Sequence, residues 1–148
     1  MVRLYKPEDE PAVLQLLRSN IPKFFDESEL ADLTAYLKNE RESYFVFESS
    51  EGQILGAGGM NFFDEGKTGR ISWDFVHADH HGKGIGGKLL NYRLDLFEAD
   101  EKIEKIVVRT SQFAADYYSK FGFKLIRQIE NYWSDGYHLY YMEMNRQI

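Results

Sequence analysis

The residues of this chain best suited to chemistry lie in one run, His80-His81-Gly82-Lys83-Gly84-Ile85-Gly86-Gly87-Lys88. Four of the twelve glycines fall within six positions there, after a β-rich stretch at 71–76 and before an apolar-periodic one. A strand that feeds a glycine loop and then a helix presents bare backbone N–H groups at the helix N-terminus, where the peptide dipoles also favour negative charge. Such a turn suits a phosphate. Between His80 and Leu94 there is no Asp or Glu, while Lys83, Lys88 and Arg93 are present, so the segment is locally positive in a chain of net charge −6.

Spacing alone leaves several patterns open. Gly82-x-Gly84-x-x-Gly87 has the form of a dinucleotide fingerprint, which belongs in a first βα turn with an acidic residue about twenty positions on. Here the loop is mid-chain, and the corresponding region is Val107-Val108-Arg109. Gly82-x-x-x-x-Gly87-Lys88 is most of a P-loop, but Leu89 stands where a Ser or Thr hydroxyl would hold magnesium. A third pattern, a basic or amide residue, two positions, Gly, one position, then Gly or Ala, fits His81 to Gly86.

The elements that must position this loop follow from periodicity. Strands are predicted at 2–5, 44–48, 53–63, 70–77, 105–110, 123–129 and 137–144. Helices are predicted after Pro7, after Asp26 with Glu29 in a capping arrangement, at about 84–99, and at 113–121 before Gly122. Antiparallel hairpins thus flank one central β-α-β unit, an α+β fold whose mixed, mostly antiparallel central sheet is flanked by helices in three layers. Gly56, Gly58 and Gly59 in one strand predict a bulge or a close backbone approach. The 148 residues suit one domain, 1–148, with an ordinary core.

Composition narrows the classes. There is no Cys, hence no disulfide framework, Cys-ligated zinc or Cys nucleophile. No signal peptide or long apolar run is read, so a cytoplasmic protein without a membrane partner is expected. The acidic balance argues against a nucleic-acid partner and tolerates a cationic substrate. His77, His80 and His81 do not read as a metal site, because three nitrogens within five residues at a strand end rarely converge on one ion.

In context, Val76-x-x-x-x-His81-Gly82-Lys83-Gly84-Ile85-Gly86 resembles the coenzyme A motif of the GNAT superfamily of acetyl-CoA-dependent N-acetyltransferases. Downstream, Ser111-Gln112-Phe113-Ala114-Ala115-Asp116-Tyr117-Tyr118-Ser119-Lys120-Phe121-Gly122-Phe123 is similar to its second motif, a helix ending in Tyr-x-Lys-x-Gly-Phe. One helix and one strand separate the two, as in that family, and the order of elements extends the likeness over essentially the whole chain. Two positions depart: His81 stands where Gln or Arg is usual, and Ser111 where Asn is frequent.

The resemblance implies a GNAT-type fold, acetyl-CoA as acyl-donor cosubstrate, and transfer of the acetyl group to a primary amine by direct attack. It implies that His81, Gly82, Lys83, Gly84, Ile85, Gly86 and Gly87 hold the pyrophosphate, mainly through backbone N–H groups. Phe75 and Val76, on a strand that splays from its neighbour, would pair with the pantetheine arm. Ser111 and Tyr118 would touch the coenzyme, and Tyr118 would be the general acid that protonates the leaving thiolate. Tyr117 reads as packing. Asp74, two residues before Val76 and on its face, is a candidate base, directly or through water. An ordinary carboxylate pKa near 4 matches an alkylammonium near 10 poorly, so His77 is a second candidate.

The resemblance places the acceptor beside residues 20–26 and 129–137. Phe24, Phe25, Tyr132, Trp133 and Tyr137 make these segments aromatic, and Asp26, Glu130 and Asp135 make them acidic. The expected acceptor is a small molecule or peptide whose cationic amine adjoins an apolar body: a polyamine, an aminoglycoside, a peptide α-amine or a lysine side chain. A homodimer is left open. The other functional class that fits is a non-catalytic module that binds acyl-CoA as a sensor.

Overall fold

Continuous apolar runs such as Tyr44-Phe45-Val46-Phe47 send side chains to both faces of the sheet, so each face needs a covering layer, and the helices supply both. The computed structural model describes residues 1–145. The strands are β1 (Val2–Leu4), β2 (Ser43–Glu48), β3 (Ile54–Phe63), β4 (Thr68–Val76), β5 (Lys105–Thr110), β6 (Lys124–Ser134) and β7 (Tyr137–Asn145). The helices are α1 (Glu10–Arg18), α2 (Glu29–Asn39), α3 (Ile85–Ala99) and α4 (Ala115–Ser119). The strands form one sheet in the order β1-β2-β3-β4-β5-β7-β6, with every pair antiparallel except β4 with β5.

On one face, α1 and α2 pack Val13, Leu16, Leu17, Leu33, Tyr36 and Leu37 against Tyr44, Val46, Ala57 and Phe75. On the other, α3 and α4 pack Ile85, Leu89, Leu90, Phe97 and Tyr118 against Phe45, Met60, Ile71, Ile106 and Val108. Neighbours such as Tyr44 and Phe45 go to opposite layers because the pleat alternates. Each fully buried Leu contributes about 1.5–3 kcal/mol of transfer energy, so Leu89 and Leu90 alone anchor the start of α3 firmly.

The feature that positions the site is the parting of β4 from β5. Their ladder covers only Thr68–Ile71 against Lys105–Val108. Beyond it, β4 stays with β3 (Ala57 opposite Phe75, Gly56 opposite Val76), while Arg109 and Thr110 follow β7. The β3–β4 register shifts between Ala57 and Gly59, and Trp73 in β4 has φ 45°. This is the bulge expected from the glycines, and a bulge bends and twists its strand, which carries Asp74–Val76 away from β5. It also turns Asp74 to the α3 face, whereas Ser72, opposite Gly59 beneath Tyr36 and Tyr44, faces α2.

Several boundaries differ from the sequence expectation. A 3-10 turn at Pro7–Asp9 precedes α1, with Pro7 at its first position, where no N–H is needed, and the Lys6 N–H bonded to the Asp9 carboxylate. α4 is only Ala115–Ser119, since Ser111 accepts from Ala114 and Ala115 and takes up the start of the predicted span as a turn. β6 continues to Ser134 through irregular pairing between Ile129 and Ser134 that includes Asn131 at φ 53°. No helix among the described residues is long and apolar enough to cross a membrane.

Candidate active site

The glycine run forms the turn between β4 and α3. Gly82 and Gly84 adopt φ 78° and 82°, the left-handed region where a side chain would be strained, and Gly84 is the N-cap of α3. The first backbone donor to return to the protein is Lys88 N–H, which bonds Gly84 C=O. Among the described residues, the seven N–H groups from His81 to Gly87 have no protein acceptor. A Cβ on Gly82 or Gly84 would meet nothing within 4 Å, so the space outside the loop is open. A run of free donors at the start of a fifteen-residue helix is an anion cradle built from main chain.

The two lysine side chains lie off the cleft. Lys83 reaches His80 at 3.4 Å, and Lys88 lies over the Phe47 ring at 5.8 Å, so neither lines the cleft next to the loop. His81 does line it, with Nε2 2.9 Å from Val76 C=O. A carbonyl only accepts, so Nε2 carries the proton there. Asn20 Nδ2 donates to the same carbonyl at 2.9 Å, which pins the end of β4 to α1 and leaves Val76 C=O fully engaged.

That cleft, about 800 Å³, runs from the loop through the fork between β4 and β5. Phe75, Val76, Gly82, Gly84, Ile85, Gly86, Gly87, Ser111 and Tyr118 all line it, as does Asp74. The β5-facing edge of β4 has no strand partner beyond Ile71. An extended chain carrying amides fits such a gap, and the cradle beside it fits a pyrophosphate. His77 does not line the cleft; its Nδ1 accepts from Asp79 N–H. Among the described residues no group of three His, Cys, Asp or Glu is placed to hold a metal ion.

At the fork sits a charged cluster. Arg93 is fully buried, and its Nη2 pairs with Asp74 Oδ1 at 2.8 Å. Its Nε and Nη1 donate to Leu89 C=O (3.0 Å) and Gly59 C=O (3.2 Å), so each nitrogen of the guanidinium has an acceptor. Gly58 makes room: a Cβ there would fall 2.5 Å from the guanidinium carbon. Tyr118 hydroxyl donates to the other carboxylate oxygen, Asp74 Oδ2, at 2.8 Å. Burial, then the Asp74 charge and this hydrogen bond, push the Tyr118 phenol well above its ordinary value. Tyr118 therefore keeps its proton throughout the neutral range.

Three side chains of the site escape the sequence reading. Arg93 sits at the i+4 step between Leu89 and Phe97 on the apolar face of α3, and a charge in that register facing a glycine-rich strand is its signal. Tyr117 packs against the core and also lines the cleft: its hydroxyl is buried without a protein partner, and a Cβ on Gly86 would lie 3.1 Å from it. Glu29 does accept Asp26 N–H at 3.0 Å, as a capping residue would, yet it is only 7% exposed and forms part of the cleft wall. Burial pushes its carboxyl up to about 7, with the nearby Asp32 and Asp26 charges adding to the rise and the Asp26 N–H opposing it.

Comparison with known proteins identifies the family and the fold. Residues 10–123 match the model described as "Acetyltransferase (GNAT) family". The N-alpha-acetyltransferase 50 of Danio rerio is 36% identical over 59 residues, 38% of this chain. That match covers 35% of the relative, so the chain spans about a third of the length of the curated protein it matches. A crystal structure of aminoglycoside 6'-N-acetyltransferase complexed with coenzyme A has a TM-score of 0.77 at 14% identity, covering 100% of this chain and 99% of that one. Ard1 from Thermoplasma volcanium has a TM-score of 0.79 at 19% identity, with coverage of 100% and 98%. At such identities the two structures speak for the fold alone. With a family model matching residues 10–123, most of the sequence, the chain belongs to the acetyltransferase (GNAT) family.

Proposed function

We propose that the protein is an N-acetyltransferase that moves an acetyl group from acetyl-CoA to a primary amine by direct attack. The observation that carries this reading is the run of seven free N–H groups, His81 to Gly87, at the mouth of a fork that ends at Tyr118. The cradle holds the coenzyme's diphosphate, and the edge of β4 that has no strand partner beyond Ile71 lies along its amide-bearing arm, with the Val76 C=O already taken by Asn20 and His81. Ser111, Tyr117 and Ile85 close the sides. The bound acetyl thioester supplies the electrophilic acyl carbon.

Tyr118 acts as general acid toward the leaving thiolate. Its raised pKa keeps the phenol protonated at every working pH, and Asp74, held by Arg93, fixes where the hydroxyl sits until it turns from Oδ2 to the leaving sulfur. Each oxygen of Asp74 already accepts one bond, from Arg93 or Tyr118, and in this reading it takes the amine's proton through a relaying water. Glu29, poised near neutrality on the opposite wall, is the better-matched proton acceptor in the cleft. The name of the zebrafish relative makes a peptide α-amine one acceptor to include in a screen.

Two measurements test the proposal. Acetyl-CoA at 100 times its Kd should add about 2.7 kcal/mol of stability, or roughly 5–10 °C in Tm for a chain of this size. Tyr118→Phe should lower kcat by about 10²-fold or more with little change in coenzyme affinity. Turnover within threefold of the parent would remove Tyr118 from the mechanism. Tight coenzyme binding with no acetylation of any amine would instead favour an acyl-CoA sensor.

A further inference from the structure

Two guanidinium groups face the acceptor end of the cleft, Arg70 on β4 and Arg109 on β5. Arg70 lies opposite Val107 in the parallel ladder, and Arg109 is two positions beyond Val107, so both side chains leave the same face of the sheet. Among the described residues neither has a carboxylate within 4 Å. Arg109 is held on an aromatic shelf, 5.3 Å from the Tyr132 centroid and 5.4 Å from that of Trp133, and donates to the Tyr132 hydroxyl at 2.5 Å. Arg70 lies over Phe63 at 4.4 Å. Burial and the charge of Arg109 lower the pKa of Arg70, while Tyr36, Glu40 and Glu42 act more weakly in the opposite sense. Like charges held close and partly dehydrated are costly until an anion joins them. Across the cleft, the α2 wall carries Glu29 and Asp32. The acceptor end is therefore bipolar, with a basic floor and an acidic wall.

We propose, building on the N-acetyltransferase reading, that the acceptor is an amino acid-sized zwitterion. Its carboxylate is gripped by Arg109, Arg70 completes the positive field, and its amine points into the fork. Arginine suits this task because its fork of donors matches a carboxylate bidentately. The aromatic rings of Phe24, Phe25 and Tyr137 leave the far side suited to an apolar substituent. A polyamine or aminoglycoside carries no anion and would add positive charge beside the two arginines, so those members of the expected acceptor set are disfavoured.

The test uses L-leucine, L-methionine and L-phenylalanine, each paired with its carboxamide. Each is titrated calorimetrically into the coenzyme A-saturated protein, and each is assayed with acetyl-CoA by thiol release. At least one free amino acid should bind and react about tenfold or more better than its carboxamide. Arg109→Gln should reduce that preference to less than threefold, and Arg109→Lys should restore part of it, with coenzyme A affinity within twofold of the parent in both. Carboxamides equal to or better than the acids, or no binding of any acid to a protein that still binds coenzyme A, would overturn the inference alone. Failure to bind coenzyme A would overturn the reading beneath it as well.

Discussion

Asp74→Asn tests whether the fork is held together by charge. The side chain of Asp74 is 8% exposed and that of Arg93 is 0% exposed, with 2.8 Å between them. The variant keeps the size of the side chain and an oxygen that can accept from Arg93 or Tyr118, but it leaves the buried guanidinium without a counter-charge. Breaking a buried pair from one side costs about 3–5 kcal/mol. Leu89 and Gly59 carbonyls still accept from Arg93, so the lower end applies, about 3 kcal/mol or roughly 6–12 °C in Tm. Urea unfolding followed by circular dichroism should show a lower midpoint at unchanged slope. In a double-mutant cycle, Arg93→Met should reduce the penalty of Asp74→Asn by about 1–3 kcal/mol. A loss below about 1 kcal/mol, or strict additivity in the cycle, would refute the idea that this pair positions Tyr118.

Three further outcomes follow from the same geometry. Gly58→Ala pushes a Cβ to 2.5 Å from a guanidinium that Asp74 pins, and should cost about 1–3 kcal/mol in urea unfolding; an unchanged midpoint would mean Arg93 moves freely. Glu29 has its folded pKa raised to about 7 from 4.5, so its contribution to stability is fully present below pH 4.5 and lost as pH rises through about 7. The parent should lose stability relative to Glu29→Gln over that window, by up to about 3 kcal/mol less a discount for the solvent that reaches the carboxylate, and parallel pH profiles would contradict this. Lys88→Met should change the coenzyme A dissociation constant by less than threefold, because Lys88 lies over Phe47 and the main chain does the gripping; a tenfold loss would contradict it.

Much of this site is legible in the chain before folding because it is built from local signals. The glycine run announces its turn by the absence of side chains, and β5 is bounded at Lys105–Thr110 by a β-branched core between polar ends. The parting of the strands follows from the glycines of β3, which admit the bulge opposite Trp73. What is not legible depends on contacts across the fold. Helical spacing places Arg93 on the inner face of α3, but only the third dimension brings Gly58 and Asp74 to it. Glu29 satisfies a local capping pattern that hides its second surroundings in the cleft wall. Tyr117 and Tyr118 are neighbours with similar local settings, and burial of both hydroxyls emerges only when α4 docks against the fork. The positive field at the acceptor end joins residues 39 positions apart, Arg70 and Arg109, so no local pattern of charge foreshadows it.

The main-chain cradle can be observed directly by following the backbone amides of isotopically labelled protein as coenzyme A is added. The account predicts that the N–H signals of residues 81–87 move together and become protected from exchange with solvent, while those of the β1–β2 edge stay in place. Saturation by coenzyme A with those seven amides unmoved would contradict it.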